Sequence, residues 1–282
     1  MSLCFPDTDT LYSLVVVARP DILKVPVISN VIPPRYGTPI EITYGGNQSR
    51  AIAVDAVHGV VYWTDGGLIK RAALDGNYSH VILDAVDADL TRLAVDPIKE
   101  KIYFTDFTGE TAGMVNTDGS GRQALFNETG RLRGIAVDYK AGLLFRIWKQ
   151  SIHRSNLDGS EDIEIVSSSN TTWRKVLAIN CNSKNTTNNK KICWTDYRMK
   201  IIECSDYNGD NRDVYNTTGW PLALQMANDV IYYTQHHPNS VNTIQLKDGN
   251  RSVIDMGPYN GRRMIGIDII LADCTTAATS GR

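Results

Sequence analysis

The sequence predicts an all-β fold, a six-bladed β-propeller of four-stranded antiparallel blades, on three repeating signals. An Ala-Val-Asp triplet stands at Ala53–Asp55, Ala94–Asp96 and Ala136–Asp138, with relaxed copies at Ala178–Asn180, Ala223–Gln225 and Gly266–Asp268, spaced 41 to 45 residues apart. A self-similar period of that length marks stacked supersecondary units. An aromatic tetrad ends ten residues after the triplet in four of the first five copies: Tyr62–Asp65, Tyr103–Asp106, Phe145–Trp148 and Tyr232–Gln235. The remaining copy, Cys193–Asp196, is delayed by an inserted Asn/Lys/Thr stretch. A dipeptide then follows each tetrad by 10 to 13 residues: Asp75-Gly76, Asp118-Gly119, Asp158-Gly159, Asn208-Gly209 and Asp248-Gly249. These dipeptides are type I′ hairpin signals, a turn whose two central residues both need positive φ.

Each repeat therefore reads as four strands, exemplified by an inner A strand at Ile52–Asp55, B at Val60–Thr64, C at Leu68–Ala73 and an outer D strand at Ser79–Leu83. No segment reads as a helix. A four-stranded unit with two apolar faces cannot stand alone, and radial stacking buries each face against a neighbour. The last triplet supplies an A strand at Arg263–Ile270 with nothing after it, while the chain begins with Leu14–Ala18, Ile22–Pro26 and Ile40–Thr43 and no A strand before them. The ends complete one another, so residues 1–282 are expected to hold one propeller domain, spanning about 10–273, with short terminal extensions.

Composition supports a globular chain, with 42% hydrophobic and 21% charged residues. A balance of 29 basic against 31 acidic residues argues against nucleic acid as the main partner. No apolar run approaches a membrane span, and Leu14–Ala18 is too short for a signal-peptide core, so neither anchor nor targeting segment is expected in the chain as given. Seven Asn-x-Ser/Thr signals, at Asn47, Asn77, Asn127, Asn170, Asn185, Asn216 and Asn250, fall in turn-like segments and point to a secreted or cell-surface glycoprotein. Five cysteines fit that compartment. Cys4 and Cys274 flank the two segments that meet, and a bond between them would fasten the closure. Cys181 with Cys193 is the first choice for a second bond, across the inserted loop, with Cys204 as a strand residue facing Cys193.

The Tyr-Trp-Thr-Asp tetrads, preceded by Ala-Val-Asp and followed by Leu-Asp-Gly, resemble the class B repeats of the low-density lipoprotein receptor family over roughly Leu14–Asp273. That resemblance implies the propeller of an extracellular receptor or matrix protein that binds or releases protein ligands and does no catalysis. The EGF-like module usual after such a propeller is absent here, which leaves an excised module and a complete secreted protein both open.

Side chains alternate along a strand, so Tyr62 and Thr64 should face one neighbouring blade and Trp63 and Asp65 the other, as packing and turn residues. Asp55, Asp96, Asp138 and Asp268 are expected to cap structure, paired with basic residues at the start of strand A in adjacent blades: Arg50, Arg133, Lys175, Arg263, and Arg92 one place later. Topology sends the B–C and D–A loops to one face. Those loops hold Phe107, Trp173, Arg174, Tyr197, Arg198, Trp220, Pro221, His236 and His237, beside Arg131 and Arg133. Trp, Tyr and Arg dominate binding hot spots, so this face is the expected site for an extracellular protein or peptide. In the resembled family a Trp before strand A lines the ligand face in several blades, a pattern that Trp220-Pro221 reproduces. Asn47, Asn127, Asn170 and Asn216 lie at the outer rim of the same face, where glycans would leave the centre open.

Other chemistry finds little support. His236 and His237 are adjacent, so on an extended segment their rings should point apart. His58, His80 and His153 lie in different repeats, and there is no CxxC pair, so neither a metal nor a cofactor is expected. Gly119–Gly121 reads as a hairpin turn and not a nucleophile elbow. A secreted lectin, with one pocket per blade, is the second reading. A calcium-dependent propeller hydrolase is the third, weakened because the starts of the A strands carry Arg, Thr, Lys and Trp where an axial metal needs oxygen ligands.

Overall fold

The computed structural model describes residues 11–29, 35–127, 130, 132–167, 174–179, 190–227 and 229–271. Six antiparallel sheets are arranged around an axis, and five follow the chain in order A to D. Blade 1 is Ser49–Asp55, Val60–Asp65, Leu68–Ala73 and His80–Asp84. Blade 2 is Leu90–Asp96, Lys101–Asp106, Thr111–Asn116 and Gln123–Asn127. Blade 3 is Leu132–Asp138, Leu143–Trp148, Ser151–Asn156 and Ile163–Val166. Blade 4 is Arg174–Ile179, Lys191–Asp196, Ile201–Asp206 and Asp213–Asn216. Blade 5 is Trp220–Ala227, Val230–His236, Ser240–Gln245 and Arg251–Ile254. Blade 6 joins the two ends: Met264–Leu271 is its A strand, and Leu11–Ala18, Asp21–Ser29 and Ile40–Tyr44 complete it, with the short Arg35–Tyr36 strand paired to Asp21–Ser29. The one helical turn among the described residues is a 3₁₀ turn at Gly257–Tyr259.

Apolar side chains fall into six clusters, one at each junction of neighbouring blades. Alternation along strand B divides the tetrad as expected. Trp63 packs with Val15, Val17 and Ile22 of blade 6, whereas Tyr62 packs with Leu90, Ile102 and Phe104 of blade 2. The indole Nε1 of Trp63 donates to Gly45 O at 2.7 Å, so burial leaves this polar group satisfied. The tetrad acids hold loops: Asp65 accepts from Gln48 N, Asp106 from Asp89 N, and Asp196 from Arg198 N.

The C–D hairpins differ in detail from expectation. Only the glycine of each of these dipeptides has positive φ, for example +89° at Gly119, and the Asp or Asn before it does not. Gly119 N donates to Asn116 O and Asn116 N to Ser120 O, so a type I turn ends on a left-handed glycine instead of forming a type I′ turn. The glycine is needed twice over. A Cβ at Gly119 would also stand 2.0 Å from Ile82 O on the D strand of the preceding blade, and one at Gly209 2.0 Å from Ile165 O.

Two pairings read from the sequence are corrected. The disulfide joins Cys193 to Cys204, not to Cys181. Strands B and C of blade 4 pair these two cysteines directly across the ladder, with Cα atoms 4.0 Å apart, the closer spacing of an antiparallel pair. Cys4, Cys181 and Cys274 lie outside the described residues. The repeated acids also do not pair with the bases at the start of strand A. Acid and base sit at opposite ends of one strand, about 17 Å apart at roughly 3.4 Å per residue, and in-register blades keep them at opposite ends of the axis. Asp55 instead accepts from His58 N and Nδ1, and Asp96 from Ile98 N and Lys99 N. Asp138 accepts from Lys190 Nζ and Tyr207 Oη, and Asp268 from Val54 N and Gln225 Nε2. Burial pushes the Asp268 carboxyl up to about 6 against those hydrogen bonds.

Candidate functional site

The A strands of all six blades line an axial channel of about 190 Å³ that is mostly apolar, with residues such as Ile52, Leu93, Val176 and Ile267 along it. Where the strands begin, it opens into a basin of about 320 Å³ lined by Arg19, Arg50, Arg92, Arg133, Lys175 and Arg263. Thr91, Phe107, Leu222 and Ile265 complete the lining, which contains no carboxylate.

Local backbone geometry aims these groups. Every A strand has a register shift near its start: between Ser49 and Ile52, at Thr91, between Leu132 and Ile135, between Arg174 and Leu177, at Leu222 and at Ile265. A bulge places two residues opposite one and turns the extra side chain out of the alternation. The position three before each triplet is basic in four blades; in blade 2 it is Thr91 with Arg92 beside it, and in blade 5 it is Trp220.

Trp220 opens strand A of blade 5 and centres an aromatic platform at the basin's edge. Tyr197, from the B–C loop of blade 4, stacks on it with ring centroids 6.0 Å apart. His236, opposite Trp220 in the ladder, lies 6.3 Å away, and His237 meets it edge-on at 5.2 Å. Lys200 Nζ sits 4.6 Å from the Trp220 ring and Lys175 Nζ 3.6 Å from that of Tyr197. Lys175 thus belongs to both basin and platform. Burial, then His237 and then Arg263, lowers the His236 pKa. The two histidine rings do not point apart, as alternation would have them, but lie 3.8 Å from each other. His237 has φ of +55° and so leaves the extended backbone on which alternation depends.

The sequence-predicted residues separate into three groups. Trp220, Tyr197, His236 and His237 come together, and Phe107 faces the basin from blade 2 beneath the Arg133 guanidinium at 5.8 Å. Arg174 does not join them: it is 3% exposed, donates to Gln150 O and Ser167 O, and lies over the Trp194 ring. It ties blade 4 to blade 3. Arg198 is exposed on the Tyr197 loop. Trp173 and Arg131 lie outside the described residues. Sequence reasoning missed Arg19, a hairpin-turn residue whose Nε donates to Ser49 O at 3.1 Å, because it belongs to no repeat. Lys200 was missed for lack of any signal except proximity to Tyr197.

Sequence and fold comparisons agree with the propeller architecture. The human low-density lipoprotein receptor-related protein 5-like protein is 24% identical over 235 residues, covering 80% of this chain and 90% of its own length. The Drosophila melanogaster vitellogenin receptor Yl is 27% identical over 215 residues, 72% of this chain, and the match spans only 10% of that receptor. The nidogen/laminin complex contains a chain that superposes with a TM-score of 0.81 at 24% identity, over 92% of this chain and 98% of that one. The chain is a six-bladed YWTD-type propeller similar in sequence to proteins of the low-density lipoprotein receptor family. No protein-family model matches it. A looser likeness, TM-score 0.56 at 17% identity over 75% of this chain and 71% of the other, links the YWTD propeller to virginiamycin B lyase of Staphylococcus aureus. Among the described residues no cluster of three or more His, Cys, Asp or Glu is arranged to hold a metal, and no helix is long and apolar enough to cross a membrane.

Proposed function

We propose that this propeller is an extracellular recognition module that binds a protein or peptide through the face where the A strands begin. The observation that carries the reading is the Tyr197–Trp220–His236–His237 platform beside the open axial basin. Aromatic side chains stacked against one another present large contact area with little rotamer entropy left to lose. A single platform at one blade junction favours one-site recognition over a pocket repeated in every blade. Receptor relatives and the laminin-bound state of the nidogen propeller support binding, not catalysis, as the role. The exposed signals at Asn47, Asn77, Asn216 and Asn250 and the Cys193–Cys204 bond support an extracellular setting.

The test begins with an array of secreted proteins and ectodomains probed with the folded chain. Any ligand found is then measured against Trp220→Ala and against Lys247→Ala, an exposed residue on the C–D side. Truncating a hot-spot Trp costs about 2 kcal/mol or more, roughly thirty-fold in Kd. Lys247→Ala should bind like the wild type. Equal binding by both folded variants would move the site to another surface.

A further inference from the structure

We propose that the axial basin is a binding site for a compact, multiply charged oxyanion of the phosphate or sulfate class. Six basic side chains from five blades converge on a cavity of about 320 Å³ whose lining offers no carboxylate. The repeated aspartates cap the far end of the channel, and Asp89 holds Arg50 Nη1 at 2.7 Å from outside the lining. The convergence is built. Arg50, Arg133 and Lys175 each lie in the bulge near the start of their A strand and line the basin, and the Arg19 guanidinium is fixed on Ser49 O.

Two further observations bear on the charge of the basin. Arg92 Nε is buried without a hydrogen-bond partner, although Nη1 donates to Thr91 O at 2.6 Å. Lys175 is held down to about 8 and Arg92 to about 10, by burial first and then by the neighbouring cations. Like charges this close repel unless an anion lies between them. A lone carboxylate offers two acceptors and one charge. A tetrahedral oxyanion offers more of both, and guanidinium forks match its oxygen edges in bidentate pairs. The inference stands on the basin alone and does not require the platform to bind a protein.

The experiment measures binding calorimetrically with inorganic sulfate and phosphate as the free ion, and with O-sulfotyrosine as the same group carried on a side chain. Acetate and chloride at matched ionic strength serve as controls, since sulfate also stabilises folded proteins without a site. Saturable binding of sulfate or phosphate that acetate does not reproduce is expected. Arg92→Gln with Lys175→Gln should weaken it about tenfold or more, because each lost charge-assisted hydrogen bond is worth about that factor. Arg263→Gln, at an exposed position, gives the same reading if the buried pair fails to fold. Binding by O-sulfotyrosine alone would assign the site to a group presented on a ligand, and binding by the free ions to a resident anion. Non-saturable responses, or equal responses in wild type and folded variants, would overturn the proposal. Trp220→Ala should keep its sulfate affinity, so loss of the protein-binding reading and loss of this one are separately visible.

Discussion

Lys175 shows how one side chain couples the channel to the surface. Its ammonium caps the Tyr197 ring at 3.6 Å while facing Arg92, Arg133 and Arg263, and burial followed by those three cations lowers its pKa from 10.5 to about 8. The consequence for stability has a definite sign. Between pH 8 and 10.5 the unfolded chain binds the proton that the folded chain has released, so raising the pH through that window favours folding. Below pH 8 the whole penalty of the folded, charged form is present. Lys175→Met should therefore be more stable than the wild type at pH 7, with the gap closing as pH approaches 10.5. Urea midpoints for both proteins at pH 7, 9 and 10.5 check this, and a gap that stays constant would show that Lys175 is not under electrostatic strain. The residue was visible in the sequence as part of a basic series. Its role was not, because pairing with the repeated aspartates looked natural until the length of the strand separated them.

At the scale of elements, the repeat was legible, although strand A of blade 1 was read from Ile52, three residues after its start at Ser49. Strand C of blade 1 was read at Leu68–Ala73, where it lies, and strand B was read one residue short of Val60–Asp65. Periodicity carried this because every blade buries both faces, so each apolar alternation recurs against a neighbour. What periodicity cannot show is a deviation shared by all copies. The bulge near the start of each A strand re-aims the basic side chains, yet leaves the Ala-Val-Asp spacing untouched. Blade 4 illustrates the other limit, since its insertion drew attention to Cys181 although the ladder itself sets Cys193 opposite Cys204. A tryptic digest without reductant should yield residues 192–198 linked to residues 201–212, and a Cys181 peptide linked to Cys193 would refute the assignment. The bond closes a short hairpin, a sequence separation of 11, so replacing both cysteines by Ala should cost no more than about 3 kcal/mol in loop entropy. Two small cavities will add to that figure.

For the whole molecule, the decisive strand is Met264–Leu271, because it closes the ring from both sides. Met264, Ile267 and Ile269 pack into the junction with blade 5, and Ile265 and Ile270 into the junction with blade 1. Its Asp268 carboxylate takes hydrogen bonds from Val54 N in blade 1 and Gln225 Nε2 in blade 5, which fastens three blades at one point. Arg263 O accepts from Arg19 N, and the Arg262 guanidinium pairs with Asp21, so chain termini far apart in sequence are held together. Ending the chain after Gly261 removes all of this. At about 1.5–3 kcal/mol per buried large apolar side chain, five such residues amount to about 8–15 kcal/mol, as much as the total stability of an ordinary domain. The edge of Leu11–Ala18 would also lose its partner, exposing a strand ready to pair with another chain. The truncated protein is therefore expected to show no cooperative thermal transition and to associate, as measured by calorimetry and light scattering. A synthetic peptide of residues 262–274 added in trans should restore a concentration-dependent transition, since the strand docks on an otherwise complete ring. A monomeric truncated chain with an unchanged melting temperature would mean that blade 6 does not depend on the last strand.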